Sequence, residues 1–147
     1  MKTVLDKTTR KELIKRINSI NEDSTAQWGK MNAYQMLKHC RLAEEMYLGK
    51  KNYEWVSQGR VFGKAALEKF LYDETPMSQN IMTTKDFIVT NTGSVAEEKE
   101  KLISLICEYE NYPDGHVTHW FFGPMSREQV GLFSYKHLDH HLRQFNV

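Results

Sequence analysis

Apolar residues recur at helical spacing in four or five stretches of the chain, and residues that start or stop helices bound most of them. Thr9-Arg10-Lys11-Glu12 has the pattern of a capping box, and Leu13, Ile14, Ile17 and Ile20 follow it as one face. Asn21 to Gly29 reads as a loop. Asn32 with Gln35 predicts the next cap, Met36, Cys40, Ala43 and Tyr47 share a buried face, and Gly49 stops the helix near Leu48. A third helix is predicted over Val61–Tyr72, with Phe62, Ala65, Ala66 and Phe70 available for packing and Pro76 closing it. Residues 77–93 are poorly patterned, apart from Phe87-Ile88-Val89, which reads as a short extended piece pinned over the helices. Ser94 opens a fourth helix striped by Leu102, Leu105, Ile106 and Tyr109. Asn111–Met125 carries Pro113, Gly115, Gly123 and Pro124 and reads as a loop. Ser126-Arg127-Glu128-Gln129 is a further capping box, and the last helix runs to about Phe145. No period-2 alternation suggests a strand. The expected class is all-α, an antiparallel four-helix bundle with one extra short helix and long connections, as a single domain over 1–147.

A chain of 147 residues builds one core without needing a staple. Its 20 basic and 19 acidic residues give a net charge of +1. That balance argues against nucleic-acid binding and against electrostatic docking on a membrane. The start of the chain lacks the roughly 7–15-residue apolar run of a secretory signal, and nothing approaches the roughly 18 apolar residues of a membrane span. The expected location is the cytoplasm. The two cysteines, Cys40 and Cys107, form no Cys-x-x-Cys pair, and both read as core, as do Met31, Met36 and Met46. Glu97-Glu98-Lys99-Glu100-Lys101 reads as a solvated helix face.

The chemistry concentrates in His137-Leu138-Asp139-His140-His141. Residues four apart share a helix face, so His137 and His141 are placed to clamp one ion; His137 with His140 is also geometrically possible. Val130, Phe133, Ser134, His137 and His141 fall in one arc, which points that pair at the core. His140 lies at the edge of the arc, and Asp139 points away toward solvent. Inward imidazoles need a partner, either a hydrogen bond or a metal. His39 sits on or beside the inward face of the second helix, between Met36 and Ala43. Three inward histidines leave a fourth position open, the pattern of a catalytic metal site. Leu138 stands where a zincin has glutamate, and no histidine has Glu three residues before it, as di-iron bundles require. His116 and His119 lie in the aromatic loop with Trp120, Phe121 and Phe122. His119 is a candidate for contact with substrate or with the ligand histidines, as is His140, and the competing reading makes this loop a plug at the bundle end.

The stretches His119-Trp120-Phe121-Phe122-Gly123-Pro124-Met125-Ser126-Arg127-Glu128-Gln129 and Tyr135-Lys136-His137-Leu138-Asp139-His140-His141-Leu142-Arg143-Gln144-Phe145 are similar to the C-terminal signature of a DinB-like subfamily of uncharacterised proteins. With a histidine in the second helix and a long connection, nearly the whole chain resembles the DinB/YfiT-like superfamily. The resemblance implies a four-helix bundle holding zinc or nickel between helices on His39, His137 and His141. It also implies a homodimer and, from the thiol transferases of the superfamily, a small-molecule substrate such as a low-molecular-weight thiol.

Two functions follow as expectations. One is a metal-dependent enzyme, a thiol transferase or hydrolase, because zinc lowers the pKa of bound water to about 7 and deprotonates a coordinating thiol. No general acid or base stands out from the sequence for it. The other is a non-catalytic metal-binding or structural interaction bundle.

Overall fold

The computed structural model describes all residues 1–147. Five α-helices, α1 (Lys7–Ser19), α2 (Ala33–Tyr47), α3 (Ser57–Phe70), α4 (Val95–Glu108) and α5 (Arg127–Gln144), make most of the structure. A two-stranded antiparallel hairpin, β1 (His116–His119) and β2 (Gly123–Ser126), sits between α4 and α5. The protein is therefore mostly helical, close to the expected all-α class, with one small sheet added. The hairpin escapes pattern reading because β2 carries a Gly-Pro pair in place of alternating apolar residues. No helix is long and apolar enough to cross a membrane.

The caps fix where the two central helices begin. Asn32 and Gln35 exchange side-chain and backbone hydrogen bonds at the start of α2, and Ser126 and Gln129 do the same at the start of α5. Each such box satisfies two N–H groups that the helix would otherwise leave bare, and removing a cap costs about 1 kcal/mol. At α1 the cap is Asp6, whose carboxylate accepts from the Thr9 N–H. The helix thus starts one turn before the Thr9 box. Helix α3 begins at Ser57, ahead of the expected Val61, without a side-chain cap.

Helix α2 packs on α4 and α5, and α1 packs on the same two. Their inner faces share one core that includes Leu13, Ile17, Met36, Leu102, Ile106 and Leu138. Helix α3 lies against β2. Its contact face is Gly59, Gly63 and Leu67, whereas Val61 and Phe62 are exposed. The reason is close approach: a methyl group on either glycine would overlap the carbonyl oxygen of Phe121 at the hairpin tip. The Trp55 indole donates to that same oxygen at 3.2 Å, so the tip is latched from two sides.

Three other expectations are corrected by ion pairing and exposure. Asp139 is buried, not solvated, because it accepts from Arg16 at 2.7 Å and from Arg143 at 2.6 Å. Glu98 leaves the solvated face to pair with Arg41 at 2.7 Å. Cys107 is exposed, while Cys40 is buried with its thiol against the Met36 sulfur at 3.8 Å. Of the Phe87-Ile88-Val89 piece, Phe87 closes a 3-10 turn, Lys85–Phe87, and Ile88 after it is extended; the Phe87 ring is buried as expected of a pinned segment.

Replacing Gly59 or Gly63 with Ala should destabilise the protein by roughly 1–3 kcal/mol through overpacking, although alanine is the better helix former. Urea unfolding checks this; a gain in stability would mean that the hairpin tip is free to move off α3.

Candidate metal centre

The inward arc of α5 meets the inward face of α2 through His137, His141 and His39, whose ring nitrogens lie within 4.8 Å of one another. All three are buried, at 9, 8 and 7% exposure. The ring centroids of His39 and His141 are 4.7 Å apart, and those of His137 and His141 are 4.8 Å apart. His39 Nε2 stands 3.2 Å from His137 Nε2. Nitrogen ligands about 2.0–2.1 Å from one tetrahedral ion stand about 3.3 Å apart, so this pair has the separation that shared ligation requires. The three side chains could hold a metal ion.

Two of the rings have their tautomers set from behind. His39 Nδ1 lies 2.9 Å from the Phe87 carbonyl oxygen, which can only accept, so the proton is on Nδ1 and the Nε2 lone pair faces inward. For His141 the logic takes one more step. The Gln144 amide nitrogen donates to the Trp28 carbonyl at 2.8 Å, which turns Gln144 Oε1 toward His141 Nδ1 at 2.9 Å. Nδ1 again carries the proton and Nε2 is free. Such outer partners orient ligand histidines and raise their basicity. The third ring has no such support, because His137 Nδ1 is buried without a partner. Phe87 and Gln144 were not singled out by sequence reasoning. Gln144 had a signal, its place three residues after His141 on the same helix; Phe87, acting through its backbone, had none.

Burial governs the electrostatics. It lowers the pKa of His39, and lowers those of His137 and His141 well below the usual value, with the neighbouring imidazoles adding to the effect. All three are therefore neutral at pH 7, the form in which imidazole binds metals.

His140 stands outside the cluster. Its ring is 5.0 Å from His141 and 5.7 Å from Trp28, and it lines an open cleft of about 550 Å³ with Trp28, Met77 and Arg143. None of the three convergent histidines lines that cleft. His116 is exposed on β1. His119, at the end of β1, is folded back by the hairpin against α2 and buried. Its ring stacks on Phe122 at 4.3 Å and on Tyr47 at 6.0 Å. Its Nδ1 accepts from the Phe121 N–H at 3.0 Å and the Phe122 N–H at 3.1 Å. Burial pushes its pKa down to about 3. The hairpin turns this imidazole back onto Tyr47 and Phe133, aromatic neighbours that His137 shares.

Sequence reasoning also missed Glu44. It is fully buried, without a cation, and accepts from Ser134 Oγ at 2.8 and 3.0 Å and from the Tyr109 hydroxyl. Burial raises its pKa to about 7 against the lowering effect of these two hydrogen bonds. An acidic residue on the Cys40-Ala43-Tyr47 face of α2 was the available signal.

The fold and this cluster define a mostly helical protein with a buried three-histidine centre able to hold a metal ion. Residues 1–147 match the family described as protein of unknown function (DUF1569), and the chain belongs to that family. No curated protein and no solved structure matches it.

A raised carboxyl pKa means that the folded state holds a proton the unfolded state has released. The stability contributed by Glu44 is therefore full below pH 4.5 and is lost as pH rises through about 7. Between pH 5 and pH 8 the wild type should lose about 2–3 kcal/mol relative to Glu44→Gln, a comparison that cancels the opposite trend of the buried histidines. Unfolding of both proteins at the two pH values measures it; parallel pH dependences would show that the carboxyl titrates normally.

Proposed function

We propose that the protein is a metal-dependent enzyme of small-molecule chemistry, a thiol transferase or hydrolase, built on a DinB-like four-helix bundle. The observation that carries the metal is the pair of outer hydrogen bonds, Phe87 O on His39 and Gln144 Oε1 on His141, which turn two Nε2 lone pairs toward the same point. Three neutral imidazoles suit zinc or nickel. They leave a position open, as catalytic centres do and structural four-ligand sites do not.

When bound, such an ion lowers the pKa of water or of a thiol held in the open position, so that a nucleophile exists at neutral pH. The chain's own contribution is orientation and water exclusion. Phe87 O and Gln144 fix two rings, α2 and α5 fix the spacing, and the aromatic hairpin tip closes one side with Phe122 packed against Phe133 at 4.8 Å. The reacting partner is a small molecule, and a low-molecular-weight thiol is the class that the DinB resemblance favours. A homodimer in the cytoplasm completes the proposal.

A second reading has one observation behind it. The 3.2 Å approach of the His39 and His137 Nε2 atoms is also the geometry of an N–H···N hydrogen bond, His137 donating to His39. In that case the cluster is a structural polar layer in a non-catalytic bundle.

Elemental analysis separates the two. Protein purified without chelator should carry about one equivalent of a divalent transition metal. His137→Ala should lose it, and the exposed His116→Ala should keep it. Gln144→Ala should hold the metal roughly 10–100-fold more weakly, the usual effect of deleting an outer partner. Wild-type protein that neither contains metal nor takes up zinc or nickel would establish the structural reading.

A further inference from the structure

The open cleft that His140 lines is a feature the metal centre does not use, since none of the three convergent histidines lines it. Its volume of about 550 Å³ is that of a small-molecule pocket, for which about 300–1,000 Å³ is usual. Three parts of the chain wall it. Trp28 comes from the connection between α1 and α2, Pro76 and Met77 from the connection after α3, and His140 and Arg143 from α5. No acidic side chain lines it.

Arg143 supplies the charge. Its Nε donates to one oxygen of Asp139 at 2.6 Å, and Arg16 donates to the other at 2.7 Å. The carboxylate is buried, so it fixes the guanidinium by its inner edge. The two terminal nitrogens of Arg143 make no hydrogen bond to the protein, and the side chain is half-exposed. A planar pair of N–H groups held in this way is the fork that a carboxylate accepts from. Little in the cleft competes for it. The main-chain oxygen of Val147, which also lines the cleft, is engaged by Arg16 Nε and Nη2 at 3.1 and 2.8 Å. Asp73 and Glu74 line the adjoining pocket instead, where Glu74 pairs with the Met1 amino group at 3.3 Å.

Trp28 supplies flat apolar surface, which Pro76 and Met77 extend. A fixed guanidinium and an indole in one cleft suit a molecule with an apolar body and an anionic end.

We propose that this cleft binds a small organic anion, an aromatic or otherwise apolar body carrying a carboxylate, with Arg143 on the carboxylate and Trp28 against the body. The site is distinct from the three-histidine centre and stands without the metal reading above. It is nevertheless close to that centre. The His140 ring is 5.0 Å from the ring of His141, and the Trp28 carbonyl holds the Gln144 amide that orients His141. An occupant therefore packs on the residue that supports a ligand histidine.

Benzoate and benzamide are matched probes, similar in shape and different in charge. Each is titrated calorimetrically at pH 7 into wild type and Arg143→Gln. Wild type should bind benzoate about tenfold or more tightly than benzamide. Arg143→Gln should lose roughly ten- to a hundredfold of the benzoate affinity and leave benzamide unchanged, the effect of losing hydrogen bonds to a charged group. Arg60→Gln, which removes an exposed cation from α3, should bind benzoate as wild type does. The three tryptophans give three indole N–H resonances that locate the ligand. That of Trp28 should move on adding benzoate, while those of Trp55 and Trp120 stay. No benzoate binding by wild type, or equal benzoate affinity in wild type and Arg143→Gln, would overturn the inference and leave the metal reading standing; the second outcome is what an anion bound to the metal would give. Where Arg143→Gln does not fold, the wild-type indole spectrum decides, and a stationary Trp28 resonance overturns the proposal.

Discussion

Imidazole buried between helices loses water at both ring nitrogens, and much of this structure supplies the replacements, with His137 Nδ1 the exception. Four of the six histidines, His39, His119, His137 and His141, are buried in the space between α2, α5 and the hairpin. Each unassigned nitrogen would forfeit hydration without compensation. The protein answers with groups from outside the two helices: a carbonyl from the 3-10 turn at Phe87, an amide held by the α1–α2 connection at Trp28, and two N–H groups from the hairpin tip. Connections that look like slack between helices are thereby required in fixed positions. This explains how residues 77–93, so poorly patterned, still bury Phe87 against the site.

The two buried polar layers respond to pH in opposite senses. Burial disfavours charge on both, which keeps the histidines neutral by lowering their pKa values and lets Glu44 hold its proton up to about pH 7 by raising its own. Acid therefore threatens the histidine layer, while alkali threatens the Glu44–Ser134–Tyr109 layer. Both layers join α2 to α5, with Ser134 standing three residues before His137. The interface between these helices is thus most comfortable in the neutral range.

What the sequence made legible was whatever repeats locally. The capping boxes at Asn32 and Ser126 mark their helices because both partners lie within one turn, and the spacing of His137 and His141 places them on one face for the same reason. His39 was readable from its position between Met36 and Ala43. Long-range pairing was not. Asp139 points away from the histidine arc as expected, but whether that direction holds water or Arg16 depends on where α1 packs. Gly59 and Gly63 look like defects in a helix until the Phe121 carbonyl is known to sit on them. The hairpin was hidden because β2 has a Gly-Pro pair where a strand would alternate. The outer groups that orient the histidines came only from the structure.

Gly29 adopts a left-handed backbone, φ +79°, and a Cβ there would stand 2.7 Å from the Gln144 amide nitrogen. A residue in the first connection is therefore limited by a side chain near the far end of the chain, and that side chain is limited by a histidine. Glycine at 29 is thus required twice over, by its left-handed backbone and by the amide beside it. A side chain there would push on the group that holds the His141 imidazole, so the first connection and the end of the last helix are set by one contact.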